Sequence, residues 1–219
     1  QATALDHFRC NWIACSMFCC TSVSVDDTRP ILPVASSDEE HVIQIGSRDE
    51  LKRLDLDLSD PECVILASCD GAAADWNRQS AKQVFPFDRI AKINGQPCVA
   101  QHFLDLLRKD KDSVLELTVE RPVKRLLYLR KPGRLGFDLT YSTKDAKPWR
   151  ASVKPWIAGI TDGLVADWNA DMPELAVDQH DRIISINSTS GPPAELIDVL
   201  SAAPDVIELE VLHYNFESM

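Results

Sequence analysis

A chain of 219 residues with 45% hydrophobic content can bury a core and has room for one large domain or two small ones. Its 34 acidic against 23 basic residues leave a formal charge of -11, which argues against nucleic acid as a partner and against nonspecific attraction to acidic membrane surfaces. No stretch approaches the roughly 20 apolar residues that a membrane-spanning helix needs.

The first segment, residues 1–38, reads as a cysteine-rich tail. Phe8, Trp12, Ile13, Met17 and Phe18 interleave with Cys10, Cys15, Cys19 and Cys20, a surface-active pattern too short to span a bilayer. It resembles an acylated membrane anchor, in which clustered terminal cysteines carry palmitate and two chains hold far better than one. The four cysteines lack the two-residue spacings of zinc or common iron–sulfur sites, and the five histidines form no cluster, so neither metal nor cofactor is expected. Cys63, Cys69 and Cys98 are scattered, unlike a secreted disulfide framework, and imply an intracellular, reducing compartment.

Beyond the tail the elements fall in order. Residues 41–46 read as an opening strand, 64–67 as a sheet strand, 72–77 as a short helix, 89–93 as a strand ending in an Asn-Gly turn, and 101–109 as an amphipathic helix, with an alternating strand from 114 closing the unit. The series then starts again. Residues 126–130 and 137–141 read as strands, 164–169 as a short helix, 182–186 as a strand, 194–202 as a helix, and 206–211 as the closing strand.

The two series share sequence as well as order. Arg53-Leu54-Asp55-Leu56-Asp57-Leu58-Ser59 matches Arg134-Leu135-Gly136-Phe137-Asp138-Leu139-Thr140, and Ala74-Asp75-Trp76-Asn77 matches Ala166-Asp167-Trp168-Asn169. Asp88-Arg89-Ile90 with Ile93-Asn94-Gly95 matches Asp181-Arg182-Ile183 with Ile186-Asn187-Ser188, and the last helix and closing strand follow suit. The first match is 81 positions apart and the later ones 92 or 93, which places an insertion of about eleven residues within 141–155. A unit used twice follows, with domains at 39–121 and 122–219. Short strands with two helices, and no strict strand–helix alternation, imply a mixed α+β, mainly β fold of two small, partly open barrels in tandem. Trp76 and Trp168, at equivalent positions, are expected to anchor the cores.

These motifs resemble the PDZ family, in which a Gly-Leu-Gly-Phe type loop precedes a peptide-pairing strand and a Gly-Asp-x-Ile…Val-Asn-Gly segment follows. The second copy is the nearer match, with Arg134-Leu135-Gly136-Phe137 as the loop and His180-Asp181-Arg182-Ile183…Ile186-Asn187-Ser188 as the later segment. The first copy is degenerate, because Asp55 stands where a glycine is usual and its charge would repel a terminal carboxylate. The Ala-Asp-Trp-Asn helix further resembles PDZ-like domains of algal proteins.

The resemblance implies peptide capture by strand addition, with loop N–H groups holding a carboxylate and a facing helix selecting a side chain. In the second copy it implies Leu135, Gly136, Phe137, Asp138, Leu139 and Thr140 as loop and strand, faced by Pro193 and Ile197. In the first it implies Leu54, Leu56 and Leu58, faced by Ala100 and Leu104. Neither helix clearly opens with the histidine that would favour Ser or Thr in the ligand, so apolar or internal peptides are expected.

The function implied is a non-catalytic scaffold for partner peptides or subunits at a membrane surface, cytoplasmic or organellar, a plastid included. The alternative is a peripheral structural subunit of a large membrane complex, a photosynthetic one included, whose grooves take no free peptide. A regulatory fragment of a PDZ-containing protease is the third reading. No Gly-x-Ser-x-Gly elbow or other nucleophile motif occurs, so no catalytic residue is expected.

Overall fold

The computed structural model describes residues 40–108, 114–142, 152–203 and 205–216. The tail with Cys10, Cys15, Cys19 and Cys20 lies outside them, as does most of the expected insertion. Strand β1 (His41–Ile45), helix α1 (Arg48–Lys52), strands β2 (Leu56–Asp57) and β3 (Ile65–Leu66), helix α2 (Ala72–Gln79), strands β4 (Arg89–Ile93) and β5 (Gln96–Pro97), helix α3 (Ala100–Arg108) and strand β6 (Leu115–Glu120) form the first repeat. Strands β7 (Val123–Arg130), β8 (Phe137–Thr140) and β9 (Trp156–Ile160), helix α4 (Leu164–Asp171), strand β10 (Arg182–Ile186), helix α5 (Pro193–Ser201) and strand β11 (Val206–His213) form the second.

Each repeat builds one antiparallel sheet of the same design. The first runs β1-β6-β4-β3-β2, with β5 as a hairpin on β4, and the second runs β7-β11-β10-β9-β8. Element for element the two orders coincide, and this identity of topology makes the chain a tandem of two mainly β units of one design. Neither sheet closes on itself into a barrel, so β2 and β8 each end their sheet as edge strands.

The repeated motifs do repeated work. Trp76 donates its indole N–H to the Lys82 carbonyl at 2.9 Å, and Trp168 donates to that of Leu175 at 3.3 Å. Asn77 and Asn169 then act as strand mimics. The Asn77 amide exchanges two hydrogen bonds with Val84, and the Asn169 amide does the same with Val177. The helix is thereby tied to the segment leading into β4 or β10. Both tryptophans are half-buried and pack against their cores, so their polar ends as well as their rings are used.

Helix α1 and strands β2, β5 and β9 fall outside the expected list. Helix α1 is set by a capping box read through Ser47 and Glu50: the Ser47 hydroxyl accepts from the Glu50 N–H at 3.2 Å, and Glu50 accepts from the Gly46 N–H at 2.7 Å. Strand β9, Trp156–Ile160, pairs with both β8 and β10.

Each sheet buries its inner face in its own core, around Ile43, Leu66, Ile90 and Leu117 in the first repeat and around Leu127, Ile183, Leu196 and Leu209 in the second. The outer faces also carry apolar residues. Cys63 and Ile65 of the first repeat cluster with Leu212 and Tyr214 of the second, and Phe87, Val153, Ile184 and Phe216 pack on the cluster. Polar links flank this seam. Arg182 donates to Asp57 at 2.8 Å, His180 meets Asp60 at 2.9 Å, and the Tyr214 hydroxyl donates to the Phe87 carbonyl at 3.1 Å. Arg89 donates to the Asn215 carbonyl at 2.7 Å and lies over the Phe216 ring.

Candidate functional site

The loop before β8 has a geometry set by one glycine. Gly136 has φ 77°, and a Cβ there would meet the Thr161 carbonyl oxygen at 2.7 Å and Gly163 Cα at 2.8 Å, so no other residue fits without displacing backbone. This close approach brings the loop onto the start of α4. The carbonyls of Arg134, Leu135 and Gly136 accept from the N–H groups of Leu164, Val165 and Thr161 at 2.9, 3.0 and 2.8 Å. In a trans peptide the N–H points opposite to the carbonyl of the same plane. Three inward carbonyls therefore turn the N–H groups of Leu135, Gly136 and Phe137 away from α4, as a concave set of donors suited to an anion. Among the described residues, no backbone or side-chain group accepts from the N–H of Leu135 or Gly136.

Strand β8 continues from that loop and alternates. Phe137 and Leu139 are half-buried on the second core, whereas Asp138 and Thr140 are exposed. One side of β8 pairs with β9, and the sheet ends there. Helix α5 contributes Leu196, fully buried, with Val199 and Leu200 half-buried against the same core as Leu135, Phe137 and Leu139. Ile197 is half-buried but stands outside that cluster, and Pro193 is buried. Of the expected residues of the second copy, Leu135, Phe137 and Leu139 share one apolar cluster, whereas Pro193 and Ile197 of the helix stand outside it and α5 joins it through Leu196, Val199 and Leu200. Pro193 contributes an apolar ring and no donor, having neither an N–H nor a polar side chain.

No family model and no curated protein matches the chain. Two solved structures resemble it loosely. A complex of INAD PDZ45 with NORPA CC-PBM has 16% identity and a TM-score of 0.36, over 82% of this chain and 96% of that one. INAD PDZ45 with an NG2 peptide has 15% identity and a TM-score of 0.34, over 83% of this chain and 94% of that one.

The first repeat places its equivalent residues differently. The Arg53 and Asp55 carbonyls accept from Ala72 and Ala67, echoing the second loop, and Gly71 stands at the start of α2 as Gly163 stands at the start of α4. The donors are not equivalent, however. The Leu54 N–H is already taken by the Leu51 carbonyl at 3.2 Å, because α1 runs directly into the loop. Leu54 and Ala100 are buried, while Leu56, Leu58 and Leu104 are half-buried. Asp55, in place of glycine, does not adopt the left-handed backbone that Gly136 does. On β2 the outward Asp57 is buried at 1% exposure and accepts from the Val153 N–H as well as from Arg182. Strand β2, the counterpart of β8, is thus fastened to the second repeat through Asp57.

Sequence reasoning read Asp57, His180 and Arg182 only as motif positions and passed over Asp60 and Tyr214, yet these five make the fastening. Burial acts to lower the His180 pKa, but hydrogen bonding and charge attraction from Asp60, with Glu62 beyond, outweigh it and hold the imidazole above its ordinary value. Burial, opposed chiefly by Arg182, pushes the Cys63 thiol up to about 12, and burial likewise raises Cys98 to about 12, so both are unreactive core groups. Among the described residues no group of three His, Cys, Asp or Glu side chains is placed to hold a metal ion.

Proposed function

We propose that the chain is a non-catalytic interaction scaffold in which the second repeat captures an extended peptide and the first repeat is a structural platform for it. The observation that carries this reading is the loop of Leu135, Gly136 and Phe137. The carbonyls of Arg134, Leu135 and Gly136 accept from residues at and just before the start of α4, and the N–H groups of Leu135, Gly136 and Phe137 are presented at the head of an edge strand. A terminal carboxylate fits those donors, the following residues add to β8, and inward side chains meet Phe137, Leu139 and Ile197. In the first repeat the Leu54 N–H is already bonded to the Leu51 carbonyl, and Asp57 is committed to Arg182, which supports a structural role.

The test uses the full chain and a panel of labelled decapeptides with free, apolar C-termini, read by fluorescence anisotropy. Micromolar binding that is lost when the same peptides are amidated supports the reading, and so does weakening by Ile197→Asp. Absence of binding across the panel overturns it in favour of a subunit whose grooves receive no free peptide. Gly136→Asp is a poor probe, since its side chain would collide with backbone and disturb the fold.

Attachment to a membrane surface through acylated Cys10, Cys15, Cys19 and Cys20 belongs to the same proposal, as do a reducing compartment and an algal, organellar setting. These rest on the composition of the tail and the scattered later cysteines. Mass spectrometry of the native protein decides the acylation: four unmodified thiols reject it.

A further inference from the structure

The two repeats carry an aspartate at the same place on their edge strands, and only one of the two is satisfied. Asp57 on β2 and Asp138 on β8 are 81 positions apart, the same spacing as Arg53 and Arg134 in the loops before them. Both follow an inward apolar residue and precede another: Leu56 and Leu58 in the first copy, Phe137 and Leu139 in the second. In the first copy the carboxylate has been given its partner within the chain, since Arg182 reaches it at 2.8 Å and the Val153 N–H also donates to it at 2.8 Å. In the second copy Asp138 is exposed, and among the described residues its carboxylate has neither a hydrogen bond nor an ion pair. Its cross-strand neighbour on β9 is Gly159, and a Cβ placed on Gly159 would meet nothing within 4 Å. The space beside Asp138 on the outer face of the sheet is open.

We infer that Asp138 is a specificity residue of the second groove and that its ligand is a peptide carrying an arginine or lysine at an outward position between apolar inward residues. This rests on the peptide-binding reading above. A strand added antiparallel to β8, with its terminal carboxylate on the loop N–H groups, places its last residue beside Phe137 and its penultimate residue beside Asp138. Residues opposite one another share a face, so the penultimate side chain projects outward with the Asp138 carboxylate. The chain itself supplies the precedent for the chemistry, because the twin carboxylate Asp57 is met by a guanidinium. The ligand class is thus a C-terminus of the form apolar–basic–apolar. The inner apolar residues meet Phe137, Leu139 and Ile197, and the buried Pro193 offers no hydrogen bond to a polar side chain two residues from the end.

The experiment compares, on the full chain, free C-terminal peptides that differ only at the penultimate residue: Arg, Ala or Glu. An exposed cross-strand pair predicts about two- to fivefold tighter binding of Arg than of Ala, weaker binding of Glu, and a smaller difference at high salt. Asp138→Asn should remove the discrimination without abolishing binding of the Ala peptide, and Asp138→Lys should invert it in favour of Glu. Equal affinities of the Arg, Ala and Glu peptides, unchanged by Asp138→Lys, overturn the inference while leaving the groove intact. Failure of every peptide to bind would instead remove the peptide-binding reading on which it stands.

Discussion

The Arg182 guanidinium lies 2.8 Å from the Asp57 carboxylate, and neither side chain has any solvent-exposed surface. One comes from the second repeat and the other from the first, so their ion pair forms only when the two sheets are packed. Two guanidinium nitrogens of Arg182, Nε and Nη2, have no partner among the described residues. The pair therefore fixes how the repeats meet more than it raises stability, because two desolvated charges recover little beyond what burial took from them. Removing one partner is another matter. Arg182→Met should leave a buried, uncompensated carboxylate and cost about 3–5 kcal/mol, measured by urea unfolding of the full chain.

The two interior glycines of the second groove region should respond oppositely to a methyl group. Gly136→Ala forces a Cβ at φ 77° to within 2.9 Å of three backbone atoms, and a loss of about 1–3 kcal/mol is expected with a lowered thermal midpoint. Gly159→Ala adds its methyl to open space on β9 and has no positive φ to strain, so the thermal midpoint should hold or rise.

Asn77 and Asn169 are equivalent clamps, each with one donor and one acceptor engaged by a single valine. Truncation to Ala leaves the Val84 or Val177 backbone groups without those partners. Asn77→Ala and Asn169→Ala should each cost about 1–3 kcal/mol in denaturant titrations. The losses should be similar in size, because the repeats use the residue identically.

His180 packs between Trp156 and Phe216, with Asp60 and Glu62 of the first repeat 2.9 and 3.4 Å from its ring nitrogens. Its folded pKa is raised above the ordinary 6.5, so its contribution is fully present below pH 6.5 and is lost as pH climbs through the raised value. Thermal midpoints of the full chain should therefore fall over that window. The slope should flatten in His180→Gln, and an identical pH profile in the variant would remove the histidine from the account.

Much of this architecture is legible in sequence because a duplication prints each element twice. Arg89–Ile93 and Arg182–Ile186 keep their bounds, and the Asp-Trp-Asn helices and closing strands shift by a few residues at most. Strand β9 is harder to read, since Trp156–Ile160 follows the insertion and shows no polar–apolar alternation. Helix α1 carries its signal in Ser47 and Glu50, but five residues make too short a period to detect. The candidate loop of the second repeat is legible as a motif, whereas the different setting of its counterpart in the first is not. That setting depends on Leu51, which takes the Leu54 N–H, and on Arg182, which lies 125 positions from the aspartate it meets. No local pattern relates residues so far apart, and the outward Asp138 gains meaning only beside its satisfied twin.

The seam between the outer faces has a consequence for dissecting the molecule. A fragment ending near Arg121 would carry Cys63, Ile65 and a lone Asp57 into water, and one beginning there would carry Leu212, Tyr214 and a lone Arg182. Each half would be a sticky, charge-frustrated surface where the whole chain has an interior. The repeats are alike in topology yet are not interchangeable: one commits its edge strand and the other an outer face to the interior they share.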